Sequence, residues 1–129
     1  MTEKAQKDVD VLIIGAGSGG YVAAIRAAQL GRKVVLVDKA ELGGVCLNRG
    51  CIPSKALISA SERVKHIKGA NLMGIKVSGE VEVDMPEVVK WKDGVVNKLT
   101  SGVQSLLKGN GVEVISGEAY LTRSEEHTS

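Results

Sequence analysis

The sequence predicts an α/β fold with a parallel sheet that opens on a strand, helix, strand unit. Val9–Ile14 is an almost continuous apolar run, the pattern of a strand buried on both faces of a parallel sheet. Tyr21–Leu30 contains good helix formers with several small alanines, and Gly31 is a natural C-terminal stop. Val34–Val37 is a second apolar run that ends at Asp38. A unit of this kind is expected to have a right-handed crossover.

The middle of the chain is predicted to contain a second helix, followed by a segment that forms either a short strand or a connection. Pro53 belongs to the first turn of a helix that runs to about Lys68 and ends near Gly69. The segment 74–83 has a loose alternation of apolar residues. We expect it to form either one short strand or only a connection across the fold.

A long amphipathic helix is predicted next. Asp84 and Glu87 have the spacing of a capping box, with Pro86 in the first turn. Apolar residues at steps of three and four then mark one helical face as far as Lys108, and they are Val88, Trp91, Val95, Leu99, Val103 and Leu106. Because the helix would be about 35 Å long, part of this stripe lacks an obvious partner.

Two further strands are expected after Asn110-Gly111, over Val112–Ile115 and Glu118–Leu121. The last residues, 123–129, contain no apolar side chain and resemble the in-frame translation of a sequencing-library adapter. We therefore expect residues 123–129 to be a non-native tail and exclude His127 from functional reasoning. Resequencing the source DNA tests this expectation, and a natural continuation through this point would contradict it.

Composition narrows the function classes. The 129 residues are 43% hydrophobic and 25% charged, which suits one globular domain with a core. The 17 basic and 15 acidic residues nearly balance, and only three aromatic side chains are present, so nucleic acid is not an expected partner. The first seven residues are polar, and the apolar run after them is too short for a signal or membrane segment. We expect a cytoplasmic protein without a membrane partner.

A glycine motif follows the first strand directly. Gly15, Gly17 and Gly20 match G-x-G-x-x-G and open the first helix. The first glycine permits a tight turn, the second lets the backbone approach a pyrophosphate, and the third lets helix and strand pack closely. Free N–H groups at the helix start then bind phosphate. The motif predicts a Rossmann-type dinucleotide site, although it does not separate FAD from NAD.

Asp38 is the expected partner of that motif, because it stands about twenty residues on, where a carboxylate accepts from ribose hydroxyls. The alternatives to these assignments are a plain glycine turn and a solvated acid at a strand end. The candidate dinucleotide-binding residues up to this point are Gly15, Ala16, Gly17, Ser18, Gly19, Gly20 and Asp38.

Both cysteines of the chain, Cys46 and Cys51, lie in one segment between a glycine pair and Pro53. They could form a metal clip, a structural disulfide or a redox couple. In a regular helix the rise between them along the axis would be about 7.5 Å, already beyond the usual limit of about 6.8 Å between the Cα atoms of a disulfide. A disulfide would therefore require a distorted turn, which Gly50 and Pro53 are placed to allow.

A metal site would need two further ligands, and before the tail the sequence offers only His66 as an additional histidine, which we expect to be solvated. Lasting disulfides are rare in reducing compartments. A helix start at Pro53, with Arg49 and Lys55 nearby, favours a thiolate. These features favour a redox couple over the other two possibilities, and no metal is expected.

The glycine motif and the cysteine segment together resemble those of a known protein family. GAGSGGY at 15–21 and GGVCLNRGCIPSKAL at 43–57 resemble the disulfide-containing flavoprotein oxidoreductases, the class I pyridine nucleotide-disulfide family, over residues 9–122. Within that family the chain looks like the members that oxidise dihydrolipoyl groups. Glutathione and mercuric reductases tend to carry Thr and Val at the positions of Val45 and Leu47, and Val at that of Ile52.

The resemblance implies that the dinucleotide is FAD. It implies a redox-active Cys46–Cys51 disulfide, with Cys51 facing the flavin and Cys46 exchanging with the substrate. The family usually has Glu where Asp38 stands, and a shorter carboxylate still reaches ribose in many such sites. Beyond the glycine motif and Asp38, the implied cofactor-binding residues are Lys39, Gly43, Gly44, Val45 and Cys46, with Lys55 near the flavin and Ala119 on the adenine side.

The implied activity is oxidation of the dihydrolipoyl group of a 2-oxo acid dehydrogenase or glycine cleavage complex, with NAD⁺ as the final acceptor. The family acts as a homodimer whose partner subunit supplies a His–Glu base from a C-terminal domain. Residues 1–122 are then expected to be the N-terminal part of an incomplete Rossmann-like FAD-binding domain, without turnover alone. Competing hypotheses are a stand-alone flavin or nucleotide module with a regulatory thiol pair, and an NAD site with a zinc clip.

Overall fold

The structure, a computed structural model, describes residues 6–121, so the tail predicted at 123–129 lies outside the described residues. In chain order the elements are β1 (Val11–Ile14), α1 (Ser18–Gln29), β2 (Val34–Asp38), α2 (Gly44–Asn48), α3 (Cys51–Gly69), a 3₁₀ turn (Ala70–Met73), α4 (Met85–Gly109) and β3 (Glu113–Ser116). They form two compact units, residues 6–44 with 103–121, and residues 45–102.

The first unit contains a three-stranded parallel sheet in the order β1-β2-β3. Val11 is opposite Val34 across the first pair, and Val35 is opposite Glu113 across the second. Because the strands are parallel, their carboxyl ends lie at one edge of the sheet. The predicted α/β fold and its strand, helix, strand opening are confirmed.

The core of this unit is built on the central strand. Val34–Leu36 is buried in β2, and α1 packs against β1 and β2 with Ala24 fully buried. An alanine at this contact lets the helix approach the sheet closely. The helix ends where predicted, with the Gly31 N–H donating to the Ala28 carbonyl at 2.9 Å.

The prediction that both faces of the first strand are buried is wrong for β1. Leu12 and Ile14 are 54% and 55% exposed, whereas β2 is buried through Leu36. The difference follows from position, because β1 is an edge strand of the described sheet and β2 has a strand on each side. An apolar run alone does not report which strand is central.

The long helix begins as predicted. The Glu87 N–H donates to the Asp84 carboxylate at 3.2 Å, which caps α4. Its predicted apolar face is only partly correct, because Trp91, Leu99 and Leu106 are 49%, 41% and 55% exposed. The buried residues of α4 are Val103, which belongs to the predicted face, and Val96 and Leu107, which do not. The apolar spacing predicts an amphipathic helix, but the contacts of α4 with the rest of the fold determine which of its apolar residues are buried.

One strand prediction differs from the structure, because residues 118–121 form no strand. Residues 74–83 form a connection without a strand, which is one of the two predicted possibilities. The last backbone bond to β2 is the one from the Gly117 N–H to the Asp38 carbonyl, at 2.9 Å. Beyond it, β2 has ended, and the strand pairing does not continue along residues 118–121.

The second unit contains α3, the 3₁₀ turn and most of α4. An open, mainly apolar groove of about 620 Å³ lies within it, lined by Leu57, Val64, Met85 and Val88 among others. Over residues 6–121, no helix combines the length and apolar character needed to cross a bilayer.

Candidate functional sites: a glycine loop and a disulfide

The glycine motif forms the loop from β1 to α1, and two of its glycines are required by the chain itself. Gly15 has φ +103°, a conformation that other residues rarely adopt. A Cβ atom on Gly20 would lie 1.7 Å from the Gly15 carbonyl oxygen, so only glycine lets α1 pack this closely on the loop. The Gly15 N–H donates to the Val37 carbonyl at 2.7 Å, which ties the loop to β2.

Gly17 has a different environment. A Cβ atom there would meet no atom of the described chain within 4 Å, so the space above this backbone is open. Gly17 is also the N-cap residue of α1, which has no side-chain cap and no acidic residue in its first turn. The N–H groups of the first turn, on Ser18, Gly19 and Gly20, are therefore not capped by a side chain or balanced by an acidic residue of that turn.

The segment after β2 packs onto this loop. The Gly43 N–H donates to the Ala16 carbonyl at 2.9 Å. A Cβ atom on Gly44 would lie 2.7 Å from the Gly17 Cα atom, so the two backbones are in direct contact. The structure thus brings together the two glycine clusters that, as the family resemblance implies, share a ligand.

Asp38, at the end of β2, is joined to the same loop. One of its carboxylate oxygens accepts the Ala16 N–H, and the other accepts the Ala40 N–H at 2.7 Å. The pKa of the Asp38 carboxyl is held below its ordinary value, first by the bond from Ala16, then by that from Ala40, with a smaller attraction from Lys39. Asp38 is therefore ionised at neutral pH and stabilises the loop.

A cavity of about 260 Å³ lies at the carboxyl ends of the three strands. Several of the residues predicted to bind the dinucleotide line this cavity. The parallel strands end at the same edge of the sheet, so the residues that follow them lie close together. Its lining residues are Ile14, Gly15, Val37, Asp38, Lys39, Gly117, Glu118 and Ala119.

The side chain of Glu118 is a feature of this cavity that the sequence did not suggest. It accepts from the Lys39 ammonium at 3.2 Å and from the Tyr120 hydroxyl at 2.6 Å. These bonds lower the pKa of Glu118, the one from Tyr120 most, and the same bond raises the pKa of Tyr120. The strand register explains why Glu118 lies here. Asp38 pairs with Ser116, so the residues that follow the two strands lie side by side.

In the second unit, Cys46 and Cys51 form a disulfide with their Cα atoms 4.7 Å apart. Cys46 lies in α2 and is half-buried, and Cys51 is the exposed first residue of α3. The break between α2 and α3 supplies the distorted turn that the cysteine spacing requires. It was not predicted as two helices, because a five-residue helix such as α2 has no periodicity to detect.

Gly50 and Pro53 occupy this junction as expected. A Cβ atom on Gly50 would lie 3.1 Å from the Val45 carbonyl oxygen, so its role is close packing within the turn. Pro53 is the third residue of α3, where its missing N–H costs no intrahelical bond. The helix therefore starts two residues earlier than Pro53.

The surroundings of Cys51 suit thiol chemistry. As the first residue of a 19-residue helix, it lies at the positive end of the helix dipole, which favours a thiolate once the disulfide opens. Lys55 is one helical turn further on, on the same face, and its side chain is exposed. Val45 is exposed beside Cys46, and His66 is exposed near the end of α3.

No group of three or more His, Cys, Asp or Glu side chains is placed to hold a metal ion within residues 6–121. The glycine loop does fit a dinucleotide. Its open backbone at Gly17 and uncapped helix start suit a pyrophosphate, and the cavity beside Asp38 is bordered by charged groups that could meet a ribose. Ala16 would contribute through loop shape alone, because it is buried with both backbone polar groups paired.

Comparison with known proteins adds an independent line of evidence. The family described as pyridine nucleotide-disulphide oxidoreductase matches residues 9–129. Dihydrolipoyl dehydrogenase of Geobacillus stearothermophilus is 61% identical over 114 residues, which are 88% of this chain and 24% of that protein. The enzyme of the same name from Bacillus subtilis is 62% identical over 117 residues, 91% of this chain and 25% of the relative.

The dihydrolipoyl dehydrogenase of Thermus scotoductus is 57% identical over 120 residues, 93% of this chain and 26% of the relative. The chain thus spans about a quarter of the length of the curated relatives that it matches. The similarity covers both the glycine loop and the disulfide, the two features that the fold presents as functional.

Proposed function

We propose, from the premise that this chain belongs to the pyridine nucleotide-disulphide oxidoreductase family, that it supplies the FAD-binding loop and the redox-active disulfide of a dihydrolipoyl dehydrogenase. One observation carries the proposal. The chain closes a dinucleotide-type glycine loop with Gly44 and then, two residues later, enters a disulfide between Cys46 and Cys51. A module that only binds a nucleotide would not require a disulfide directly after its glycine loop.

The residues of the first unit would hold the cofactor by complementary roles. The first-turn N–H groups of α1 offer donors for the pyrophosphate, and Gly17 leaves room for it. Asp38 and Lys39, with the backbone at Ala119, border the cavity proposed for the adenosine end. Bound FAD would supply an acceptor for the electron pair of the two reduced cysteines, with NAD⁺ as the final acceptor.

The cysteines would perform thiol–disulfide exchange. A dihydrolipoyl thiolate attacks the Cys46 sulfur, the Cys46–Cys51 bond breaks, and Cys51 leaves as a thiolate. The second thiol of the substrate then attacks the mixed disulfide, which releases the oxidised lipoyl ring and the Cys46 thiol. The substrate thereby loses two electrons, and the cysteine pair gains them. The position of Cys51 at the start of α3 stabilises the leaving thiolate.

Exchange also needs a base that takes the protons of the substrate thiols. We propose that a His–Glu pair of a partner subunit provides it in a homodimer, and that Lys55 lies near the flavin. The substrate would be the dihydrolipoyl group of a 2-oxo acid dehydrogenase or glycine cleavage complex in the cytoplasm. These assignments derive from the resemblance and from the names of the relatives.

The test is made on the full-length product of the gene. Purified protein should show a flavin spectrum, and dihydrolipoamide should reduce NAD⁺ in its presence. Cys46→Ser and Cys51→Ser should each abolish that reduction while leaving flavin bound. Oxidised glutathione with NADPH is the control substrate pair, because its preferential use would place the protein with the glutathione reductases. Residues 1–129 alone should give no NAD⁺ reduction.

The competing hypothesis is a stand-alone flavin module with a regulatory thiol pair. It predicts that residues 1–129 bind FAD tightly and unfold cooperatively, whereas the enzyme hypothesis predicts weak retention of the flavin. An absorption spectrum of the purified chain, before and after addition of a dithiol, separates the two. A chain that contains stoichiometric zinc and shows no flavin absorbance would contradict both.

A further inference from the structure

The carboxylate of Asp38 connects two loops at the carboxyl edge of the sheet. Ala16 follows β1 and Ala40 follows β2, and each donates its backbone N–H to a different oxygen of the same side chain. Bonds from N–H groups to an ionised carboxylate are among the stronger hydrogen bonds in proteins. Losing this side chain would therefore release both loops at once.

The bond to Ala16 matters because of where that residue lies. Ala16 is the fully buried residue between Gly15, whose φ is positive, and Gly17, whose backbone faces open space. Its carbonyl accepts the Gly43 N–H at 2.9 Å. Hydrogen bonds on the two backbone polar groups of this one residue thus connect the Asp38 side chain to the glycine loop and on to the segment that precedes the cysteines.

We propose that Asp38 is a positioning residue, which holds the glycine loop and the turn after β2 in the shape that a dinucleotide requires before the ligand binds. The proposal rests on the function proposed above, which takes that dinucleotide to be FAD. It goes beyond a ribose contact, because the carboxylate acts on its own chain. The two bonds leave further lone pairs on both oxygens, so a ribose hydroxyl could still bind in addition.

Other parts of the fold indicate that the effect should be local. The Gly117 N–H donates to the backbone carbonyl of Asp38 at 2.9 Å, and this bond does not involve the side chain. Asp10 offers a matched comparison, because its carboxylate accepts the Lys33 N–H at 2.7 Å just before β1 begins, at the opposite edge of the sheet. The two aspartates make the same kind of bond, and only Asp38 makes it in the glycine loop.

The experiment compares Asp38→Asn with Asp10→Asn in the full-length protein. Asparagine keeps the shape of the side chain but has one acceptor oxygen, so it cannot accept both N–H groups. Hydrogen exchange is measured at the Ala16, Ala40 and Gly117 amides of the flavin-free protein. Asp38→Asn should accelerate exchange at Ala16 or Ala40 by about tenfold or more and leave Gly117 protected, and Asp10→Asn should change none of them.

Flavin binding is measured in parallel by fluorescence quenching. Asp38→Asn should weaken FAD binding about tenfold or more, and by the same factor for an FAD analogue whose adenosine ribose lacks the 2′-hydroxyl. Asp10→Asn should bind both as the parent does. A loss seen only with the 2′-hydroxyl present would overturn the proposal, because it would show a direct ribose contact and no action on the loop.

Two further outcomes are informative. If the Ala16 amide of the flavin-free parent exchanges as fast as an unstructured amide, the proposal is overturned without any variant. If the parent binds no FAD, the proposed function fails, and the exchange comparison at Ala16 and Ala40 alone decides whether Asp38 holds the loop. Failure of either idea is thereby distinguished from failure of the other.

Discussion

The backbones of Gly44 and Gly17 touch, so closely that a Cβ atom on Gly44 would lie 2.7 Å from the Gly17 Cα atom. Gly44 also has φ +62°, a conformation that costs other residues about 1–2 kcal/mol. These two residues come from different glycine clusters, which are separated by α1 and β2. Their contact is the reason that the second cluster has to contain glycine at this position.

We predict that Gly44→Ala destabilises the protein by about 2 kcal/mol or more, because strain and a backbone collision add. Denaturant unfolding measures the change. The control is Gly102→Ala in α4, where a Cβ atom meets nothing within 4 Å and alanine should stabilise by up to about 1 kcal/mol. An unaltered unfolding midpoint for Gly44→Ala would contradict the contact.

The N-terminus of α4 gives a second prediction. Asp84→Ala should lower the free energy of unfolding by about 1 kcal/mol, because the Glu87 N–H loses its side-chain acceptor. Asp84→Asn keeps an acceptor oxygen and should remain close to the parent. Thermal unfolding of the three proteins is sufficient, and equal losses for both variants would assign the effect to charge rather than to the cap.

Asp38 gives a prediction about pH. Its pKa lies below the ordinary value of 3.8 because the ionised form accepts N–H groups of Ala16 and Ala40. A lowered pKa stabilises the folded state above the unfolded pKa, and this stabilisation is lost as the pH falls through the folded pKa. Stability should therefore decrease below about pH 4 more steeply in the parent than in Asp38→Asn.

The measurement is acid unfolding of the parent and Asp38→Asn across pH 2 to 7, on the scale of ordinary carboxyl pKa values near 4. The stability difference between them should be constant above about pH 5 and shrink below about pH 4. Parallel curves over the whole range would show that the carboxylate does not contribute in the folded state.

The two cysteines should differ in how a flavin protects them. After reduction, Cys46→Ser leaves only the Cys51 thiol and Cys51→Ser leaves only the Cys46 thiol. If Cys51 faces the flavin, bound FAD should slow alkylation of Cys51 by about tenfold or more and affect Cys46 less. Mass spectrometry of the alkylated proteins follows both rates. Stronger protection of Cys46 would reverse the proposed roles.

Much of the first unit could be predicted from the sequence because its signals are local. The turn at Gly15 leads into α1 within three residues, and the helix stop at Gly31 depends on residues a few positions away, as does the cap at Asp84 in the second unit. Backbone conformation and hydrogen bonding within one turn decide such features. The βαβ opening follows from the apolar runs on either side.

The features that were not predicted depend on distant contacts. The exposure of Leu12 and Ile14 depends on which strand is central, and the burial of Val96 in place of Leu99 depends on what packs against α4. The bond from Ala16 to Asp38 joins residues 22 positions apart. No short pattern encodes these pairings, so the sequence indicated Asp38 as a site residue without indicating what it holds.

The division of Cys46 and Cys51 between two helices has a mechanical consequence. The backbone bond from the Arg49 N–H to the Val45 carbonyl, at 2.8 Å, and that from the Ser54 N–H to the Gly50 carbonyl, at 3.1 Å, secure the two sides of the junction separately. Neither bond depends on the sulfur atoms. Opening of the cross-link would therefore leave both bonds in place, and the proposed redox cycle would not require either side of the junction to refold.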